Sequence, residues 1–186
     1  MVGVIEAARY LRIIAFGTVI AIAYGVSHDM ITAHLCVEYF TIGHPNLLGV
    51  DPHHANPAHQ ALLWGVLATW WVGAIAGLLL AVAARAGHPP RLDVKHLIKP
   101  VAGLVAGVAL SAMLGGIVGR VLAHFDVVRI SPVFATQVPA ARHAAFVVDS
   151  AAHLAAYGAA TIGTLVVTVV ILRRRLPTYS ASPTPM

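Results

Sequence analysis

Charge is what this chain has least of. Asp, Glu, Lys and Arg together make up 10% of its 186 residues, against roughly 25% in a soluble domain. With 59% of the residues hydrophobic, that shortage excludes a water-soluble globular fold and implies an integral membrane protein. Cysteine is nearly missing as well. Cys36 is alone, so the chain can form no internal disulfide. Lys and Arg are absent altogether between His28 and Gln60. The basic residues cluster elsewhere, and that clustering, rather than nucleic-acid binding, accounts for the net charge of +5.

What is there is apolar and long. Four runs predict an all-α, four-helix transmembrane bundle, with spans at about 8–28, 61–84, 97–122 and 144–172. A span needs roughly 20 mainly apolar residues. The last three runs reach this readily. The first has its apolar core in Ile13–Ser27 and qualifies when the helix begins before Arg9 and Arg12, whose stems reach back to the interface. Arg9, Arg12, that core and Ala21-Ile22-Ala23 also read as a cleavable signal peptide. Residues 1–176 form one membrane domain, and the Pro- and Ser-rich 177–186 is expected to be a disordered tail.

Charge orients the spans. Arg9 and Arg12 precede the first. Arg85, Arg91, Lys95 and Lys99 fill the second connection, and Arg173, Arg174 and Arg175 follow the fourth. The positive-inside rule places both termini and the second connection in the cytoplasm. The expected location is a bacterial inner membrane. Of the histidines, only His88 and His96 fall inside; Arg120, Arg129 and Arg142 are the outer minority. The other histidines, with Asp29, Glu38, Asp51, Asp126 and Asp149, collect at the outer ends.

Small residues predict the packing. Span three carries Gly103, Gly107, Ser111, Gly115 and Gly119 at spacing four, one narrow stripe of a helix. Such stripes let backbones approach where lipid offers no hydrophobic force. Span two has Gly73, Gly77 and Ala81, and span four Ala151, Ala155, Ala159 and Gly163. A tight antiparallel bundle with span three near its centre follows. The alternative use of the span-three stripe is a homo-oligomer or partner seam. Trp64 fits the outer aromatic belt, and Trp70 and Trp71 are expected as packing residues nearer mid-membrane.

The outer end holds the candidate chemistry. In YGVSHDMITAHLCVEYFTIGHP, from Tyr24 to Pro45, a continuing helix puts Tyr24, His28, Ile31, Leu35 and Glu38 on one stripe with His34 at its edge. A bend near Gly25–Ser27 would instead lay His28–Phe40 along the interface. Both keep His34 and Glu38 adjacent. In span four, Asp149, His153 and Tyr157 step at i, i+4, i+8, with Ser150 beside them. Ionisable groups at this depth usually face the bundle and have a partner. Two spans thus each offer an acid and an imidazole, a donor mix suited to Zn²⁺, Cu²⁺, Fe²⁺ or Mn²⁺. The expected metal ligands are His28, His34, Glu38, Asp149 and His153, with Tyr24, Ser150 and Tyr157 orienting them. Asp51, His53, His54 and His59 in the first outer connection form a possible accessory site. The structural alternatives are pairing of Asp149 with Arg142 or Arg120, a His153 bond to a backbone carbonyl, a helix cap at His28-Asp29, a turn at His44-Pro45, and an apolar buried role for Cys36.

The stretch YGVSHDMITAHLCVEYFTIGHP, followed by LLWGVLATWWVG, resembles a small family of bacterial integral membrane proteins of uncharacterised activity. The resemblance covers roughly the first half of the chain and implies no functional residues. The Asp149-x-x-x-His153 spacing is similar to one in the membrane copper subunit of methane and ammonia monooxygenases, over that motif alone. Intramembrane zinc hydrolases of the ceramidase type likewise combine Asp, Ser and His, but on seven spans.

Three functions fit these residues. One is metal binding at the outer ends of spans one and four. A second is a metal-dependent enzyme on that site, a hydrolase with a metal-activated water near Ser150 or Tyr157, or an oxidoreductase. The third is a non-catalytic assembly or lipid-contacting protein without metal, its polar residues forming a packing seam. A channel or transporter is disfavoured, because spans two and three carry no polar stripe.

Overall fold

Helices account for every regular element in the computed structural model, which describes residues 2–87 and 90–175. His88 and the tail at 177–186 lie outside those residues. In chain order the helices are α1 (Val2–Leu35), α2 (Val37–Thr41), α3 (Pro57–Leu67), α4 (Trp70–Arg85), α5 (Val94–His124), α6 (Pro132–Ala135) and α7 (His143–Arg175), the last entered through a 3-10 turn at Ala140–Arg142. Four segments are long and apolar enough to cross a membrane: Gly3–Leu35, Pro57–Arg85, Val94–His124 and Ala140–Arg175. The protein is an all-α, multi-pass membrane bundle in contact with lipid.

The second span is two helices. It breaks at Ala68–Thr69, where the Thr69 hydroxyl donates back to the Gly65 carbonyl. Such back-bonding bends helices. The break lets α3 and α4 both follow α1. They do so through glycine: a Cβ on Gly65 would stand 2.6 Å from the Val26 Cα, and one on Gly77 2.8 Å from the Ile14 Cα. Gly73 and Gly77 therefore pack against α1, as their spacing suggests.

The span-three stripe behaves differently from expectation. Gly115 and Gly119 press on Ala151 and Ala155 of α7, whereas Gly103 and Gly107 have nothing within 4 Å of a built Cβ. The helix pairs mainly with α7 and barely touches α1, so it is not central. The reason is that α1 spends its own small face on α3 and α4. Trp70 and Trp71 also depart from expectation: both are half exposed on the outward side of α4.

Two hairpins result, α1 with α3/α4 and α5 with α7. They join firmly at the inner end, where Ile13, Leu80, Leu97, Val167 and Ile171 share one core. Polar contacts lock that end. Arg85 is 1% exposed. Its guanidinium donates to both Glu6 oxygens (2.7 and 3.0 Å), to Asp93 Oδ1 (2.7 Å) and to the Leu92 carbonyl (2.9 Å). Arg175 donates to the Ala83 and Ala86 carbonyls at 2.7 and 2.6 Å. Both described ends of the chain thus meet the same connection. At the outer end the hairpins part, and α2 with the 125–142 segment closes over them through Cys36, Ile130, Val138 and Phe146.

Candidate metal centre

The parted outer half holds the polar cluster. His28 lies 22 residues beyond Glu6, ~33 Å along a helix, close to the roughly 30 Å hydrocarbon thickness. With Glu6 at one boundary, this length would bring the cluster near the opposite hydrocarbon boundary.

His153 is its centre. Its Nε2 lies 3.2 Å from Asp29 Oδ1. Its Nδ1 lies 3.0 Å from the Asp149 main-chain oxygen and 2.9 Å from Asp149 Oδ1. Only the main-chain contact has hydrogen-bond geometry, so both Asp149 carboxylate oxygens are buried without a hydrogen-bond partner. The charge contact with Oδ1 is nonetheless close, and it favours a proton on Nδ1, which leaves Nε2 facing Asp29. The His28 ring meets the His153 ring edge-on at 4.6 Å, and its buried Nε2 has no partner. One ligand atom each from His28, Asp29 and His153 lie within 4.8 Å of one another.

Those three residues could hold a metal ion. An ion centred among donors 4.8 Å apart would sit about 2.8 Å from each, ~0.7 Å beyond the usual Zn–N and Zn–O distances. Metal binding would require side-chain rotations that close that gap. The 3.2 Å between His153 Nε2 and Asp29 Oδ1 is already close to the ~3.4 Å between donors on a tetrahedral ion. Charge points the same way. Asp29 and Asp149 are 5% and 0% exposed, and no Lys or Arg reaches either within ion-pair distance among the described residues. Buried carboxylates need a compensating positive charge.

The structure distributes the expected ligands unevenly. His28 and His153 are in the cluster, and Asp149 lies directly behind His153. His34 and Glu38 are not with them. Helix α1 ends at Leu35, and Cys36 takes an extended backbone (φ −152°, ψ 88°), so Glu38 leaves the α1 stripe. Its carboxylate instead pairs with Arg142 Nε at 3.2 Å, while Arg142 Nη2 donates to the Leu35 carbonyl at 2.7 Å. His34 is exposed and its Nδ1 meets the Met30 carbonyl at 2.7 Å. The continuous α1 also rules out a bend at Gly25–Ser27. Ile31 and Leu35 stay on one α1 stripe with Tyr24 and His28, as expected, and are exposed toward its outer end.

The neighbours sort as clearly. Tyr24 stacks on His28 with ring centres 5.7 Å apart. The Ser150 hydroxyl donates to the Phe146 carbonyl at 2.8 Å, so it is occupied on its own helix. Tyr157 lines the cavity below the cluster. Asp51 pairs with His54 at 2.9 Å in an exposed connection, and His53 and His59 are exposed beside it. The three loop residues Asp51, His53 and His54, and His59 in the first turn of α3, therefore form no buried site.

Asp29, Tyr39 and His44 were missed as site residues. Asp29 was legible: Gly17, Ala21, Gly25, Asp29 and Ala33 continue one spacing-four stripe, and its glycines face the bundle. Tyr39 and His44 come from the connection and carry no such periodic signal. The Tyr39 ring lies 4.6 Å from that of His153, and burial pushes its hydroxyl pKa up. His44 Nδ1 donates to the Tyr39 carbonyl at 3.0 Å; burial lowers its pKa and favours neutral imidazole.

Below the cluster, a cavity of about 130 Å³ runs between the hairpins, walled by Ile20, Val72, Leu104 and Val108 and headed by His28, Asp29, His44 and His153. Tyr24 Oη and Trp64 Nε1, on its upper wall, are buried without partners.

The chain matches no protein-family model, no curated protein and no solved structure.

Proposed function

We propose that this membrane protein binds a transition-metal ion through His28, Asp29 and His153 at the outer end of the bundle. Asp149 orients His153 from behind, an arrangement common to metal-bound histidines. The observation that carries the reading is the charge imbalance: two buried carboxylates converge on two imidazoles with no Lys or Arg partner among the described residues. Two imidazoles and one carboxylate leave coordination positions open, a donor set used by non-haem iron and also compatible with zinc or copper. Use of the site as an enzyme centre belongs to the same proposal. So do the bacterial inner-membrane location, with the basic end in the cytoplasm, and kinship with bacterial proteins that share the Tyr24–Pro45 stretch.

One observation favours a second reading. Asp29 and the Asp149 backbone already satisfy both nitrogens of His153, so the cluster can also act as a proton-neutralised packing seam without metal.

Metal analysis separates them. Full-length protein, purified in detergent and offered Zn²⁺, Cu²⁺ or Fe²⁺, is expected to retain about one ion per chain. H28A, D29N and H153A are each expected to lose it. A wild-type protein that stays metal-free after all three incubations leaves only the seam.

A further inference from the structure

A second opening meets the same cluster from the side. Between α1 and α5 lies a groove of about 850 Å³, within the ~300–1,000 Å³ range of organic ligand sites. Its walls are apolar, lined by Ile31 and Leu35 of α1, Met113 and Ile117 of α5, and Ala152 of α7. His28 and Asp149 also line it, so the cluster is reached from the lipid side.

Arg120 lines this groove too. It lies 21 residues after Lys99, ~32 Å along the helix, which sets it at headgroup depth. It is exposed, and among the described residues its guanidinium has no ion-pair or hydrogen-bond partner. The other outer arginines are engaged: Arg129 with Asp126 and Arg142 with Glu38. A solitary guanidinium at the mouth of an apolar groove complements an anionic head on an apolar chain, and its forked donors suit phosphate.

We propose that this groove binds an anionic phospholipid of the outer leaflet. The phosphate sits on Arg120 and one acyl chain follows Met113 and Ile117 toward the bundle interior. The linkage between head and chain is then brought against His28 and Asp149. Lipid binding stands without metal; that the lipid is the substrate or ligand of the metal centre rests on the function proposed above.

The test is native mass spectrometry of full-length, chelator-treated protein titrated with phosphatidylglycerol or phosphatidylcholine of identical chains. Wild type is expected to prefer phosphatidylglycerol, and R120Q to lose about tenfold in that affinity. R129Q, outside the groove, is expected to match wild type. G116L should weaken both lipids, because a Cβ there meets only ordinary contacts at 3.7 Å and beyond and the longer side chain fills the groove. Circular dichroism confirms the helical fold of each variant. Equal binding of the two lipids by wild type, or unchanged phosphatidylglycerol binding by R120Q, overturns the proposal. Because metal is absent throughout, either outcome is independent of metal binding.

Discussion

Asp149→Asn tests the centre most directly, because metal affinity and apo-protein stability should move in opposite directions. Asp149 is 0% exposed and stands 2.9 Å from His153 Nδ1. Asparagine keeps the shape and removes the charge. Loss of a carboxylate behind a metal-bound imidazole typically costs 10–100-fold in affinity, about 1.4–2.7 kcal/mol. The apo protein should respond otherwise. Both oxygens of the Asp149 carboxylate are buried without a hydrogen bond, so where His153 carries no proton to pair with it, removing the charge relieves desolvation and leaves stability equal or higher. Equilibrium dialysis with metal analysis reads the first effect. Thermal unfolding followed by far-ultraviolet circular dichroism, with chelator present, reads the second. Metal affinity within about twofold of wild type would refute the orienting role. A clear fall in apo stability would show that the pair exists for packing.

Three further outcomes follow from the same geometry. Arg142→Ala strands the buried Glu38 carboxylate; because Arg142 is 38% exposed, the loss is expected at about 1–2 kcal/mol rather than the larger value of a fully buried pair, with metal affinity unchanged in dialysis. Gly77→Leu should destabilise by about 1–3 kcal/mol, since its Cβ meets Ile14 backbone at 2.8 and 2.9 Å, whereas Gly107→Leu, with open space around it, should stay within about 0.5 kcal/mol; thermal unfolding in detergent compares them. Burial pushes the Cys36 thiol up to about 12, so at pH 8 it is protonated as well as inaccessible. Maleimide labelling should be negligible in the native protein and complete after denaturation, and native labelling at the denatured rate would contradict the closed outer cap.

Composition and local periodicity determined a good deal of this. Scarce charge and four long apolar runs require a membrane bundle, since no other environment accepts that surface. The lone basic-free connection between His28 and Gln60 marks one end as chemically distinct. Helix geometry puts Asp149 and His153 on one face, because residues four apart always share one. The small-residue stripes of α1, α4 and α7 likewise announce close backbone contact. Each of these depends on neighbours along the chain.

What the chain pattern could not decide was which groups meet across helices. Asp29 joins His153 and Glu38 departs to Arg142 because α1 stops at Leu35 and Cys36 redirects the backbone, a termination with no glycine or proline to mark it. Half of the span-three stripe is unused because α1 had already committed its small face to α3 and α4. The cavity, the groove and the exposed Arg120 exist only because the hairpins join at the Arg85 end and part at the other. Those are competitions between distant surfaces, and only the assembled packing settles them.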